Sequence, residues 1–117
     1  GVWSPVWRPL ATDAEFFAVL EIVQVEVDAA IQEALVRLAS LIPPPGLSTD
    51  HELLVTYLED LLEITTRAGS AIDARDVQAY ETEAMKAPAN TCATKSALSA
   101  DMLLIAHGHF AAAEFCP

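Results

Sequence analysis

The sequence predicts an all-α fold, an antiparallel four-helix-bundle-like domain with an extended N-terminal arm, on three observations. Apolar residues recur at three-and-four spacing over long stretches, beginning with 12–42. Those stretches are punctuated by proline and glycine, most strongly at Pro43, Pro44, Pro45 and Gly46. The 117 residues are 53% hydrophobic and 20% charged, enough apolar surface to build one core and too short a chain for two. That composition also excludes intrinsic disorder, because apolar burial can offset the chain entropy.

Residues 1–11, GVWSPVWRPLA, hold both tryptophans and two of the seven prolines. Pro5 and Pro9 forbid a regular helix and suit an extended segment. The expectation is a strap that lays Trp3 and Trp7 over the helices, with a reach to a neighbouring subunit or over a ligand cavity as the functional version.

The first helix is expected over 12–42, capped by Thr12 or Asp13, with Glu15 in the first turn where a negative charge suits the dipole. Phe16, Leu20, Val23, Val27, Ile31, Ala34, Leu38 and Leu41 form its expected buried stripe. Phe17, Val19, Ile22, Val25, Ala30, Leu35 and Val36 widen that stripe until a partner or a central position is needed to cover it. The β-branched run Ile22, Val23, Val25 and Val27 also permits a local strand, but length and flanking pattern favour helix.

After the proline turn, Thr49-Asp50-His51-Glu52 has the spacing of a capping box, so a second helix is expected over 49–69, with an extension to 74 as the alternative. Leu54, Leu58, Leu61, Ile64 and Ala68 should face the core, while Glu59, Asp60 and Glu63 face water. A third, shorter helix over 74–87 would be capped by Asp73, carry Val77, Tyr80, Ala84 and Met85 inward, and be stopped by Pro88. A loop is expected over 89–94 and a last helix over 96–115, with Leu98, Met102, Ile105, Ala106, Phe110 and Ala113 inward.

That last helix conflicts with a disulfide between the two cysteines. A straight helix over 96–115 would hold Cys92 and Cys116 about 30 Å apart, whereas a bridge needs Cα atoms about 4.4–6.8 Å apart. Either the helix breaks, with Gly108 the expected place, or the thiols stay free or pair between subunits.

Charge narrows the partners. Seventeen acids against six Lys and Arg give a formal charge of −11, which repels nucleic-acid phosphate and anionic membrane surfaces. Basic proteins, divalent cations and neutral ligands remain electrostatically permitted. Glu21, Glu26, Asp28 and Glu33 interrupt the best apolar stretch, so no membrane-spanning segment is expected. Residue 1 is Gly rather than Met, from which an exported or organelle-lumen protein with its leader removed is slightly favoured over a cytoplasmic one.

Chemistry-bearing motifs are scarce. CxxC pairs, Glu-x-x-His pairs, GxSxG and glycine-rich phosphate loops are all missing from the sequence. His107 and His109 lie two apart and so point about 200° away from each other on a helix, unable to grip one metal, though in a strand or a turn kinked at Gly108 they could; His51 reads as a solvated residue near the cap. No catalytic or metal-binding residue is assigned, and the sequence leaves the cofactor open. The leading expectation is a non-enzymatic interaction or accessory module, self-associating or part of a larger assembly, through an interface containing Phe17, Ile22, Val25, Leu35 and Val36. The alternative is a carrier of a small apolar ligand or haem in a cavity between helices, lined by Trp3, Trp7, Tyr57, Tyr80, His107, His109 and Phe110. A third is a small helical enzyme using a buried carboxylate, Glu26 or Asp28, beside a histidine.

Overall fold

The computed structural model describes residues 13–105 and 116. Among them the fold is all-α, as expected, with no strand. Five helices follow one another: α1 (Asp13–Ser40), α2 (Ser48–Asp73), α3 (Val77–Ala84), α4 (Lys86–Ala97) and α5 (Ala100–Ile105). Where four helices are expected, the described residues form five: two long ones, of 28 and 26 residues, the shorter α3 and α4, and α5, described as far as Ile105. α1 lies along α2, and α2 also receives α3 and α4. The arm that carries Trp3 and Trp7 lies outside the described residues.

The α1–α2 connection follows from its prolines. Pro43 restricts Ile42 to non-helical backbone, and α1 ends two residues earlier than expected, at Ser40. The Leu47 amide then donates to the Pro44 carbonyl at 3.1 Å, with Pro45 and Gly46 between them. Gly46 has φ +86°, so the turn is of type II, which places Pro and Gly at those two positions. This turn delivers Leu47 straight into α2. The helix begins at Ser48 with no side-chain cap, so Thr49 already lies inside it and the expected Thr49–Glu52 capping box does not form.

α2 runs through Gly69 to Asp73, the longer of the two expected ends. It finishes in a Schellman motif: the Asp76 amide donates to the Ala71 carbonyl at 2.9 Å and the Arg75 amide to the Ile72 carbonyl at 3.0 Å. Arg75 occupies the left-handed position, φ +55°, where glycine is the usual residue. Its side chain compensates. The guanidinium lies 2.7 Å from Glu21 Oε1, donates to the Ile72 carbonyl at 3.1 Å and sits 5.4 Å from the centre of the Phe17 ring. Asp76, not the expected Asp73, caps α3, accepting from the Ala79 amide at 3.0 Å.

Pro88 does not stop a helix here. α3 ends at Ala84, an exposed Met85 makes the turn, and Pro88 falls in the first turn of α4, where its missing N–H has no intrahelical role. Residues 89–94, expected as a loop, are helical. The expected continuous last helix breaks at Leu98, whose ψ of 146° is extended. Leu98 is buried against Leu53, Leu54, Met102 and Leu103, while Ile105, expected inward, is exposed.

A buried acid stabilises that break. Asp50 is 5% exposed; its carboxylate accepts the Ser99 amide at 2.8 Å and the Ser99 hydroxyl at 2.7 Å. Ser99 Oγ in turn accepts the Met102 amide at 3.2 Å, capping α5. With the helix broken, Cys92 and Cys116 form a disulfide, their Cα atoms 5.4 Å apart. The break expected at Gly108 lies outside the described residues.

Candidate interaction surface

Among the described residues α1, 28 residues long, has α2 as its one long neighbour, which leaves most of its circumference uncovered by them; the question is which residues α1 turns toward α2. Beyond Glu15 and Phe16 in the first turn, the partly or fully buried positions are Phe17, Leu20, Gln24, Asp28, Ile31, Leu35 and Leu38, a stripe at three-and-four spacing. It is rotated from the expected one. Val23, Val27, Ala34 and Leu41 are exposed, and two polar residues lie in the seam in their place.

The polar pair is held by specific bonds. Gln24 Nε2 donates to the Thr65 carbonyl of α2 and to Asp28 Oδ1, the latter at 3.2 Å. Gly69 faces Gln24 there, where a Cβ would stand 3.6 Å from the Gln24 amide nitrogen in ordinary contact, so the crossing does not require glycine. At the far end of the seam, His51 Nε2 donates to the Leu38 carbonyl at 2.7 Å, tying the start of α2 to the end of α1. His51 is thus a half-buried link between helices, not the solvated residue expected.

With Gln24 and Asp28 inward, apolar side chains are turned out. Ile22, Val25 and Val36 are 67%, 70% and 70% exposed. Ala18, Ile22, Val25, Ala29, Gln32 and Val36 advance by alternate steps of four and three, which places them in one row about 27 Å long at 1.5 Å per residue. Every member is exposed. Helical geometry sets Glu26 and Glu33 along one edge of this row and Glu21 along the other, all three exposed. Glu21 pairs with Arg75 and Glu33 with Arg37, each at 2.7 Å.

The expected site residues thus divide. Ile22, Val25 and Val36 share the outward face, Leu35 is half-buried in the seam, and Phe17, at 1% exposure, is in the core and unavailable to a partner. Tyr57 and Tyr80 are half-buried and belong to helix joints. The Tyr57 hydroxyl is 3.0 Å from Thr91 Oγ1 and its carbonyl accepts the Asn90 side chain at 3.2 Å, joining α2 to α4. The Tyr80 ring stands edge-on to Phe16 at 5.9 Å, joining α3 to α1. Trp3, Trp7, His107, His109 and Phe110 lie outside the described residues.

Neither carboxylate expected for catalysis is buried. Glu26 is exposed, and Asp28 is half-buried beside Gln24. The buried acid is Asp50, which sequence reasoning placed inside a capping box. It bonds directly to Ser99, while the adjacent His51 is committed to the Leu38 carbonyl, so the three do not form a Ser–His–Asp relay. The Ser99 hydroxyl donates to Asp50 and accepts from the Met102 amide, both structural bonds. Among the described residues no group of three or more His, Cys, Asp or Glu side chains is placed to hold a metal ion, and no helix is long and apolar enough to cross a membrane. No protein-family model, curated protein or solved structure matches the chain.

Proposed function

We propose that the chain is a non-enzymatic interaction module that uses the outward face of α1 to dock an amphipathic helix of a partner protein, one whose apolar stripe is bordered by Lys and Arg. The observation that carries this reading is the inversion of α1: Gln24 and Asp28 lie in its seam with α2 while Ile22, Val25 and Val36 are turned to solvent. A row that is apolar except for Gln32, at alternating three and four spacing, is the complement of a second helix, because knobs from one fill holes of the other. Glu21 and Glu33 on its edges are engaged by Arg75 and Arg37, but Glu26 on its edge and the net charge of −11 favour a basic partner, and the same charge on each copy opposes self-pairing.

A synthetic helix with Leu at the apolar positions and Lys on both edges tests it, against the same peptide with Glu edges. The Lys peptide should bind, weaken as salt rises, and lose at least about tenfold in affinity to Val25→Lys. Val25 is 70% exposed, so that substitution leaves the fold intact. Equal binding of both peptides, or sedimentation showing a dimer that Val25→Lys dissociates, would overturn the basic-helix reading.

A further inference from the structure

At the end of the molecule where the proline turn joins α1 to α2, α5 comes back beside α2 and a groove of about 390 Å³ opens. Leu38, Pro43, Leu47, Leu54 and Met102 are among the apolar residues that line it, and among the described residues His51 is its single ionisable one. Of the residues expected to line a ligand cavity, Tyr57 and Tyr80 are not among those lining this groove, and the other five lie outside the described residues.

Three properties bear on what fits. An apolar cavity of roughly 150 Å³ holds one benzene, so this groove has room for a molecule of roughly 10–15 non-hydrogen atoms on the same scale. Its lining is nearly all hydrocarbon, which excludes charged or sugar-like ligands, since each of their polar groups would lose water without a replacement. The one polar group has a defined role. The Leu38 carbonyl can only accept, so Nε2 of His51 carries the hydrogen in their 2.7 Å bond. In the neutral ring Nδ1 is then an acceptor, and among the described residues it makes no hydrogen bond. A ligand that matches this groove is an apolar body with one hydroxyl donor.

We infer that this groove is a binding site for a small neutral alcohol or phenol, its hydrocarbon part between Leu47, Leu54 and Met102 and its hydroxyl donating to Nδ1 of His51. The site is independent of the α1 face, lying against different side chains and recognising a different class of molecule.

4-Propylphenol and its methyl ether, 4-propylanisole, are the probes, titrated into the ¹⁵N-labelled full chain. The phenol should give saturable shifts at Leu38, Leu47, Leu54 and Met102, with a Kd on the order of 0.1–1 mM for a ligand of this size. The ether lacks the donor and should bind about fivefold to tenfold more weakly, the worth of one net hydrogen bond. Leu47→Trp fills the groove and should abolish both titrations. His51→Phe should bring the phenol down to the affinity of the ether and leave the ether unchanged. If His51→Phe disturbs the Leu38 end of α1, Leu47→Trp and the phenol-to-ether ratio in the unaltered protein still decide. The inference is overturned by equal affinity for phenol and ether, by binding that survives Leu47→Trp, by shifts centred on Ile22 and Val25, or by no saturation below about 5 mM, where a ligand of this size is too weak to be specific.

Discussion

Replacing Asp50 with alanine should be among the most damaging single changes to a charged residue in this chain. The carboxylate is 5% exposed and accepts two hydrogen bonds, 2.8 Å and 2.7 Å long, from the amide and hydroxyl of Ser99. Bonds to a charged group contribute about 1.5–3 kcal/mol each. Two offsets reduce the sum. Removing the acid also removes the cost of desolvating it, and Ser99 is exposed, so water can take over part of its bonding. The expected net loss is about 2–3 kcal/mol. For 117 residues at roughly 2.1 cal/mol/K each, the unfolding entropy is about 0.25 kcal/mol/K, so the midpoint should fall by about 10 °C.

The assay is urea and thermal unfolding followed by circular dichroism at 222 nm. Asp50→Asn, which keeps the shape and one acceptor oxygen, should lose about half as much. Because Asp50 and Ser99 share these bonds, the double change Asp50→Ala with Ser99→Ala should cost less than the sum of the single changes by at least about 1 kcal/mol. A loss under about 0.5 kcal/mol for Asp50→Ala, or a strictly additive cycle, would refute the assignment of this buried acid as the group that holds the α4–α5 break.

Three further outcomes follow from the same geometry. Cys92 and Cys116 are 24 positions apart, so changing both to serine should cost about 3.5 kcal/mol by loop-closure entropy, and reductant should bring the unaltered protein to the same unfolding midpoint. Thr49→Ala should stay within about 0.5 kcal/mol, because α2 starts at Ser48 without a side-chain cap; a loss of about 1 kcal/mol would restore the capping box. Arg75→Ala should cost about 1–2 kcal/mol through the lost contacts to Glu21 and Phe17, both solvent-screened. Arg75→Gly should be about 1 kcal/mol milder, since glycine adopts the left-handed backbone without strain; equal losses would remove that strain from the account.

The parts of the fold that local chemistry determines were legible in the chain. Pro45-Gly46 dictates a type II turn, and the three-and-four spacing on either side of it dictates helices. The parts that depend on partners far away in sequence were not. Asp50 reads as a first-turn acid until Ser99, 49 positions on, is brought beside it. Pro88 suits the end of one helix as well as the first turn of the next, and the choice rests on how α4 meets Tyr57 through Asn90 and Thr91. A hydrophobicity argument puts Val23 and Val27 against α2, but the Gln24 bond to the Thr65 carbonyl turns the helix the other way.

That rotation also explains the mixed fate of the expected interface. Ile22, Val25 and Val36 lie about 100° or more around the helix from Gln24 and face outward, whereas Phe17 lies on its side of the helix and is drawn into the core. The apolar groove could not be read from spacing, because Met102 and Ile105 reach it only through the break at Leu98.

The most direct measurement of the central claim is the footprint of the Lys-edged amphipathic helix on the ¹⁵N-labelled chain. The account predicts shifts in a row along Ala18, Ile22, Val25, Ala29 and Val36, with Tyr57 and Glu59 of α2 unmoved. A footprint centred on α2 or α4, or none at saturating peptide, would contradict it.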